Sequence, residues 1–276
     1  MESVRFTPVS DGVRIAHRTL SGPTAVPDRP GEKPPLVLLA GQSLDHTMWG
    51  AVAEDLATAH EVIMIDNRGT GDSVLTERVT DTWTTATFAE DVIAVLDQLE
   101  IERAQVYGFS MGGRIAQVLA ARHQHRVAAL VLGATGPGGA WEAQRSPGAH
   151  RALMAAGTPA GHPAMIDLFF SPGWSAAHPD VPPTILPHLT PHAQRLHFAA
   201  SRAHDAGDLL SRITAPTLVL HGAEDELTPP GSAEALAEHI AEAELVLIPG
   251  ARHGYVHERR DLASPLVLDF LARHAT

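Results

Sequence analysis

The sequence predicts an α/β protein with a mostly parallel central sheet flanked by helices and a helical cap inserted into it. Three observations carry this expectation. Apolar runs of strand length alternate with amphipathic helical stretches from Leu36 to Gly133, the pattern of βαβ units. The rhythm breaks from about Gly136 to Ala206, where Pro, His and amphipathic pieces dominate and no strand-like run occurs. It then resumes through TLVLH (Thr217 to His221) and ELVLI (Glu244 to Ile248). The boundaries follow: residues 1–135 and 207–276 make one core, and residues 136–206 are a cap within the same domain.

Taken in order, Val4 to Pro8 and Val13 to Thr19 are β-rich, and a Pro- and Gly-rich loop runs from Gly22 to Pro35. LVLLA (Leu36 to Ala40) is a continuous apolar run, which suits a strand buried on both faces. Trp49, Val52 and Leu56 mark one face of a helix, EVIMID (Glu61 to Asp66) is a strand, and Phe88, Val92, Leu96 and Leu99 mark a second helix. AQVYG (Ala104 to Gly108) is a strand, Met111 to Arg122 a helix, and VAALVLG (Val127 to Gly133) another strand. GATGPGG (Gly133 to Gly139) lacks both G-x-G-x-x-G spacing and a Walker lysine, and reads as the hinge into the cap. Beyond the cap, a helix over Ser232 to Ile240 separates the last two strands, and a final helix runs from Leu262 to His274. The cap is expected over the strands' carboxyl ends, where open α/β sheets bind ligands.

The composition is that of a globular protein, 44% hydrophobic and 19% charged over 276 residues. A net charge of −12 repels phosphate backbones and anionic membrane surfaces, so neither nucleic acid nor membrane is an expected partner, and self-association is left open. There is no cysteine, which excludes disulfides, thiolate metal sites and a cysteine nucleophile. MESVRFTPVS lacks the basic and apolar regions of a secretion signal, and no apolar run approaches the ~20 residues of a membrane span, so a cytoplasmic protein is expected. Seventeen histidines invite a metal, yet His123 with His125, His188 with His192, and His253 with His257 form no H-E-x-x-H or comparable ligand set. No metal or other cofactor is expected.

One short stretch carries the chemistry. In YGFSMGG (Tyr107 to Gly113), Ser110 lies between Gly108 and Gly112, after a predicted strand and at the start of a predicted helix. That is the strand-to-helix elbow that projects a serine hydroxyl outward, and the tight turn leaves no room for side chains at the flanking glycines. The helix N-terminus adds free N–H groups near a developing oxyanion. A serine hydroxyl needs a base, and the base needs an orienting carboxylate. Asp225 follows the strand TLVLH, and His253 lies in the loop after ELVLI.

The order Ser110, Asp225, His253 and four motifs resemble the α/β-hydrolase fold superfamily, in its serine-nucleophile branch, from the first strand to the last helix with only the cap unmatched. The motifs are LVLLAGQ (Leu36 to Gln42), DNRGTGDS (Asp66 to Ser73), GFSMGG (Gly108 to Gly113), and HGAED (His221 to Asp225) paired with GARH (Gly250 to His253). The resemblance implies an α/β-hydrolase fold and a structural loop at Asp66, Arg68, Gly69, Gly71 and Ser73. It implies oxyanion donors at the N–H of Met111 and, by position, of Gln42, with Ser43 the neighbouring candidate. It also favours Asp225 over Glu224 and His253 over His257, and leaves Asp205 as a cap-hinge residue.

The function implied is a serine hydrolase cleaving a carboxylic ester or lactone of a hydrophobic small molecule through an acyl-enzyme. GFSMGG is similar to 3-oxoadipate enol-lactonases, cofactor-free perhydrolases and polyketide methylesterases, and a carbon–carbon bond hydrolase or a non-catalytic small-molecule receptor are the alternatives. Trp141, Phe169, Phe170 and Trp174, with Met165, Leu168 and Phe198, are the expected apolar lining of the cap.

Overall fold

The continuous apolar runs form the centre of one eight-stranded sheet. The computed structural model describes residues 3–9, 12–22, 33–73, 82–186 and 189–275. Most of the Gly22 to Pro35 loop, and His188, lie outside the described residues. The strands are β1 (Arg5–Pro8), β2 (Arg14–Ser21), β3 (Leu36–Leu39), β4 (Glu61–Ile65), β5 (Ala104–Phe109), β6 (Val127–Gly133), β7 (Thr217–Gly222) and β8 (Glu244–Ile248), in the spatial order β1-β2-β4-β3-β5-β6-β7-β8. Pairing is antiparallel between β1 and β2 and between β2 and β4, and parallel elsewhere. Every residue of β3, β5, β6 and β7 is buried, which is why their sequences run apolar without alternation. At the opposite edge, β8 is half exposed, and Arg273 clasps Glu244 there with two hydrogen bonds. A charged edge of this kind resists pairing with another chain.

The core helices are α1 (Gly50–Ala57), α2 (Thr85–Gln98) and α3 (Met111–Arg122). Trp49 and Val52 of the first helical stretch pack with Tyr107 and Phe109 on one face of the sheet, while Phe88, Val92 and Val95 of α2 pack with Ile115 and Leu119 of α3 on the other. Between β6 and β7 lie α4 (Pro147–Ala155), α5 (His162–Phe169), a short α6 (Trp174–Ala177) and α7 (Pro191–Arg202). Two of these begin where the sequence supplies both a capping hydroxyl and a proline at the first helical position. Ser146 accepts from Ala149 N–H and Thr190 from Ala193 N–H.

These helices straddle the carboxyl end of the sheet. Met165 and Phe169 of α5 join the core cluster on one face, whereas Ala193 and Ala200 of α7 join that on the other. The chain enters and leaves the segment through paired backbone: Gly138 bridges Asp205, and Ala206 N–H donates to Pro137 at 2.8 Å. A short α8 (Gly207–Leu210) then leads into β7, α9 (Gly231–His239) joins β7 to β8, and α10 (Tyr255–Glu258) and α11 (Arg260–Arg273) follow β8. Among the described residues no helix is long and apolar enough to cross a membrane.

Candidate active site

Ser110 sits at the junction of β5 and α3 with φ 55° and ψ −117°, a conformation that non-glycine residues adopt only when the surroundings force it. The surroundings are specific. A Cβ on Gly108 would lie 2.3 Å from the carbonyl oxygen of Gly112, and one on Gly112 would lie 2.1 Å from that of Leu39 in β3. Both glycines are therefore required by close backbone approach, as the motif's sterics predict. The elbow is held by Ser110 N–H donating to Gly133 at 2.8 Å and by the Thr135 hydroxyl donating to the Ser110 carbonyl at 2.7 Å.

The loops after β7 and β8 bring Asp225 and His253 to the same point. His253 Nδ1 lies 2.7 Å from Asp225 Oδ2, and His253 Nε2 lies 3.2 Å from Ser110 Oγ. With Nδ1–H donating to the carboxylate, Nε2 is free to accept from the serine hydroxyl. The other oxygen of Asp225 accepts from the N–H groups of Leu227 and Thr228, each at 2.8 Å. Burial alone would raise the Asp225 pKa, but His253 and His221 outweigh it and hold the carboxyl below its usual range. Phe109 and Phe169 pack edge-to-face with the His253 imidazole, with centroids 5.2 and 4.8 Å away. The end of α5 also grips this loop, since Gly254 N–H donates to Phe169 at 2.8 Å.

His221 belongs to the site although sequence reasoning gave it no role. Its Nε2 lies 2.7 Å from the Thr228 carbonyl and 3.2 Å from Asp225 Oδ2. Its place at the head of HGAED was the available signal.

Two backbone N–H groups flank the serine without an acceptor among the described residues, those of Gln42 and Met111. Ser43 N–H is instead committed: it donates to His197 Nδ1 at 3.2 Å. His197 Nε2 in turn donates to the Arg68 carbonyl at 2.8 Å, so one ring ties α7 to the loop after β3 and to the DNRGTGDS loop. That loop is braced from within. Arg68 forms two hydrogen bonds to Asp91, and the Ser73 hydroxyl accepts from Ala16 N–H and donates to the Asp66 carbonyl, each at 2.7 Å. Replacing His197 with alanine is expected to cost about 2–4 kcal/mol, because two buried backbone groups lose their partner and a cavity opens beside Trp83 and Phe88. Urea denaturation at pH 8 measures this, and a change within about 0.5 kcal/mol would contradict the clamp.

Asp45, His46 and Asp66 bring ligand-type atoms together, but both Asp66 oxygens are already taken. Oδ1 accepts from the His46 backbone and ring, and Oδ2 from Arg18 and from Asp72 N–H. A guanidinium in that position does the work a cation would.

A cavity of about 340 Å³ opens onto Ser110 and His253, beneath the cap. Of the expected apolar lining, Met165, Phe169 and Phe198 face it. Trp141, Phe170 and Trp174 do not. Trp141 is 39% exposed and stacks on His239 at 3.7 Å. Phe170 is buried against Trp174, which stacks on His178 at 4.1 Å, and the Phe170 ring meets Gly254 and His257 of the core, so it docks this segment on the sheet domain and does not face the cavity. Leu168 is likewise packed in the core cluster. Polar residues that the sequence did not single out complete the wall, among them Thr135, Arg114 and Arg145.

Comparisons with known proteins bear on the family and the fold. The family model described as serine aminopeptidase, S33, matches residues 35–260. A pimeloyl-[acyl-carrier protein] methyl ester esterase from Chromobacterium violaceum is 33% identical over 81% of this chain and 88% of its own length. A Caulobacter protein named for carbamate hydrolysis is 28% identical over 95% of this chain and 97% of its own. Among solved structures, the enol-lactonase from Burkholderia xenovorans superposes with a TM-score of 0.82 at 27% identity, covering 97% of this chain and all of the other.

Proposed function

We propose that this chain, which belongs to the α/β-hydrolase family described as serine aminopeptidase, S33, hydrolyses a carboxylic ester or lactone of a small molecule with Ser110 as nucleophile. The observation that carries the reading is the continuous relay from Asp225 Oδ2 through both ring nitrogens of His253 to Ser110 Oγ, at 2.7 and 3.2 Å. His253 takes the hydroxyl proton as Oγ attacks the carbonyl carbon. The oxyanion is received by the N–H groups of Gln42 and Met111, and losing one such donor typically costs ~3 kcal/mol. The C–O bond then breaks as His253 returns the proton to the leaving oxygen. Water, deprotonated by the same imidazole, releases the acid from the acyl-enzyme. Residues 136–206 act as the cap that selects what reaches Ser110.

Labelling tests this directly. A fluorophosphonate is expected to add once, at Ser110, and p-nitrophenyl esters are expected to be turned over with an optimum at short to medium acyl chains, given the cavity of about 340 Å³. An aminoacyl p-nitroanilide cleaved faster than every ester would replace the ester reading with a peptidase. Absence of both labelling and turnover would reject a hydrolase altogether.

A further inference from the structure

The chain carries a net charge of −12, yet the cavity above Ser110 is lined by three arginines, Arg114, Arg145 and Arg195, and by no aspartate or glutamate. The three differ in how their charge is met. Arg114 is spoken for by Glu142 Oε1 and the Ser201 carbonyl, each at 2.5 Å. Arg195 is exposed on α7. Arg145, half-buried just before α4, has neither a hydrogen bond nor an ion pair among the described residues. A guanidinium withdrawn from water without a counter-ion is costly, and such a group is retained where something else supplies the anion.

We propose that the substrate carries a free carboxylate separate from its scissile carbonyl, and that Arg145 binds it. This rests on the hydrolase reading above and names the substrate class of that site. The planar fork of a guanidinium matches a carboxylate through two parallel hydrogen bonds, giving orientation as well as attraction. Arg195 adds positive potential at an exposed position of the same wall, and Gln194 offers a neutral amide donor there. The electrostatics of Arg145 point the same way. Its pKa is lowered by burial first and by the neighbouring Arg114 second, against a smaller opposing pull from Glu142 and Asp225. A bound carboxylate relieves that strain, whereas a neutral acyl chain leaves it in place. The substrate thus joins an apolar segment, against Met165, Phe169 and Phe198, to an acidic end.

The test compares two esters of equal chain length, the mono-p-nitrophenyl ester of adipic acid and p-nitrophenyl hexanoate. The expected result is a kcat/KM at least tenfold higher for the acid ester at low ionic strength, with the preference shrinking in 0.5 M salt. Arg145→Gln should lower the acid-to-neutral ratio at least tenfold, mainly through KM, and Arg145→Lys should restore part of it. Because the readout is a ratio, it does not depend on the fraction of variant that folds. Turnover of the hexanoate with no preference for the acid ester, or an unchanged ratio in Arg145→Gln, overturns the proposal alone. If neither ester is hydrolysed and the fluorophosphonate does not label Ser110, the hydrolase reading falls and takes the proposal with it.

Discussion

Replacing Ser110 with alanine is expected to lower ester turnover by a factor on the order of 10⁴ to 10⁶, or roughly 5–8 kcal/mol of transition-state stabilisation. The loss is large because the remaining groups act as a unit. His253 and Asp225 have no proton to move once the hydroxyl is gone, and what is left is binding and the donors of Gln42 and Met111. The fold should tolerate the change, since alanine keeps the Cβ in the elbow and the backbone bonds to Gly133 and Thr135 need no side chain of residue 110. Intact mass after fluorophosphonate treatment should show no adduct, and thermal unfolding should stay within a few degrees of the parent. Turnover within tenfold of the parent, by the same preparation, would remove Ser110 from the mechanism. The comparison also separates a catalyst from a receptor on the same fold, because a receptor would lose nothing measurable in ester cleavage.

How much of this was legible in the sequence depended on whether a residue's role is fixed by its neighbours in the chain. Ser110 was legible because Gly108 and Gly112 serve its own turn, and their contacts with Gly112 and Leu39 carbonyls are what the motif encodes. Asp225 and His253 were legible because each lies in the loop after a strand whose carboxyl end faces the site, β7 buried throughout and β8 at the half-exposed edge. The central strands were readable for the same local reason, and their ends differ from expectation by a residue or two. The lining of the cap was not readable. Trp141, Phe170 and Trp174 have the composition of a pocket, but whether an aromatic faces a cavity or docks a helix is decided by packing around it. Arg145 gave no periodic or motif signal at all, and its unpaired charge exists only in three dimensions.

His197 shows the same limit from the other side. Ala193, His197 and Ala200 share one buried helical face, so burial could have been read from spacing. Its partners could not, because Ser43 and Arg68 lie more than a hundred residues away in the chain. The consequence for the proposed function is that His197 of α7 holds the loop after β3 through Ser43, next to the Gln42 N–H proposed as an oxyanion donor. Under that proposal, a substitution on the buried face of α7 is expected to lower ester turnover without touching substrate.

The same buried rings make the fold sensitive to acid. Burial holds His60 and His197 near pKa 4 and His204 near 3, against 6.5 for the free side chain, with Lys33 and Arg114 adding to burial at His60 and His204. The folded state thus binds fewer protons than the unfolded state between about pH 4 and 6.5. Stability contributed by these groups is fully present above pH 6.5 and is lost as pH falls through that window. At pH 5 each costs about 2 kcal/mol, and the three together approach the ~5–15 kcal/mol that holds a typical domain folded. His197 cannot absorb a proton in place, because Nδ1 accepts from Ser43 N–H and Nε2–H is already a donor. The melting temperature should therefore drop steeply from pH 7 to pH 5. His60 offers the clean control, since both its ring nitrogens are buried without a partner. His60→Leu, of similar volume and with nothing to protonate, should raise the melting temperature more at pH 5 than at pH 8. A melting temperature flat over that range, or a His60→Leu shift equal at both pH values, would show that these histidines do not set the acid limit.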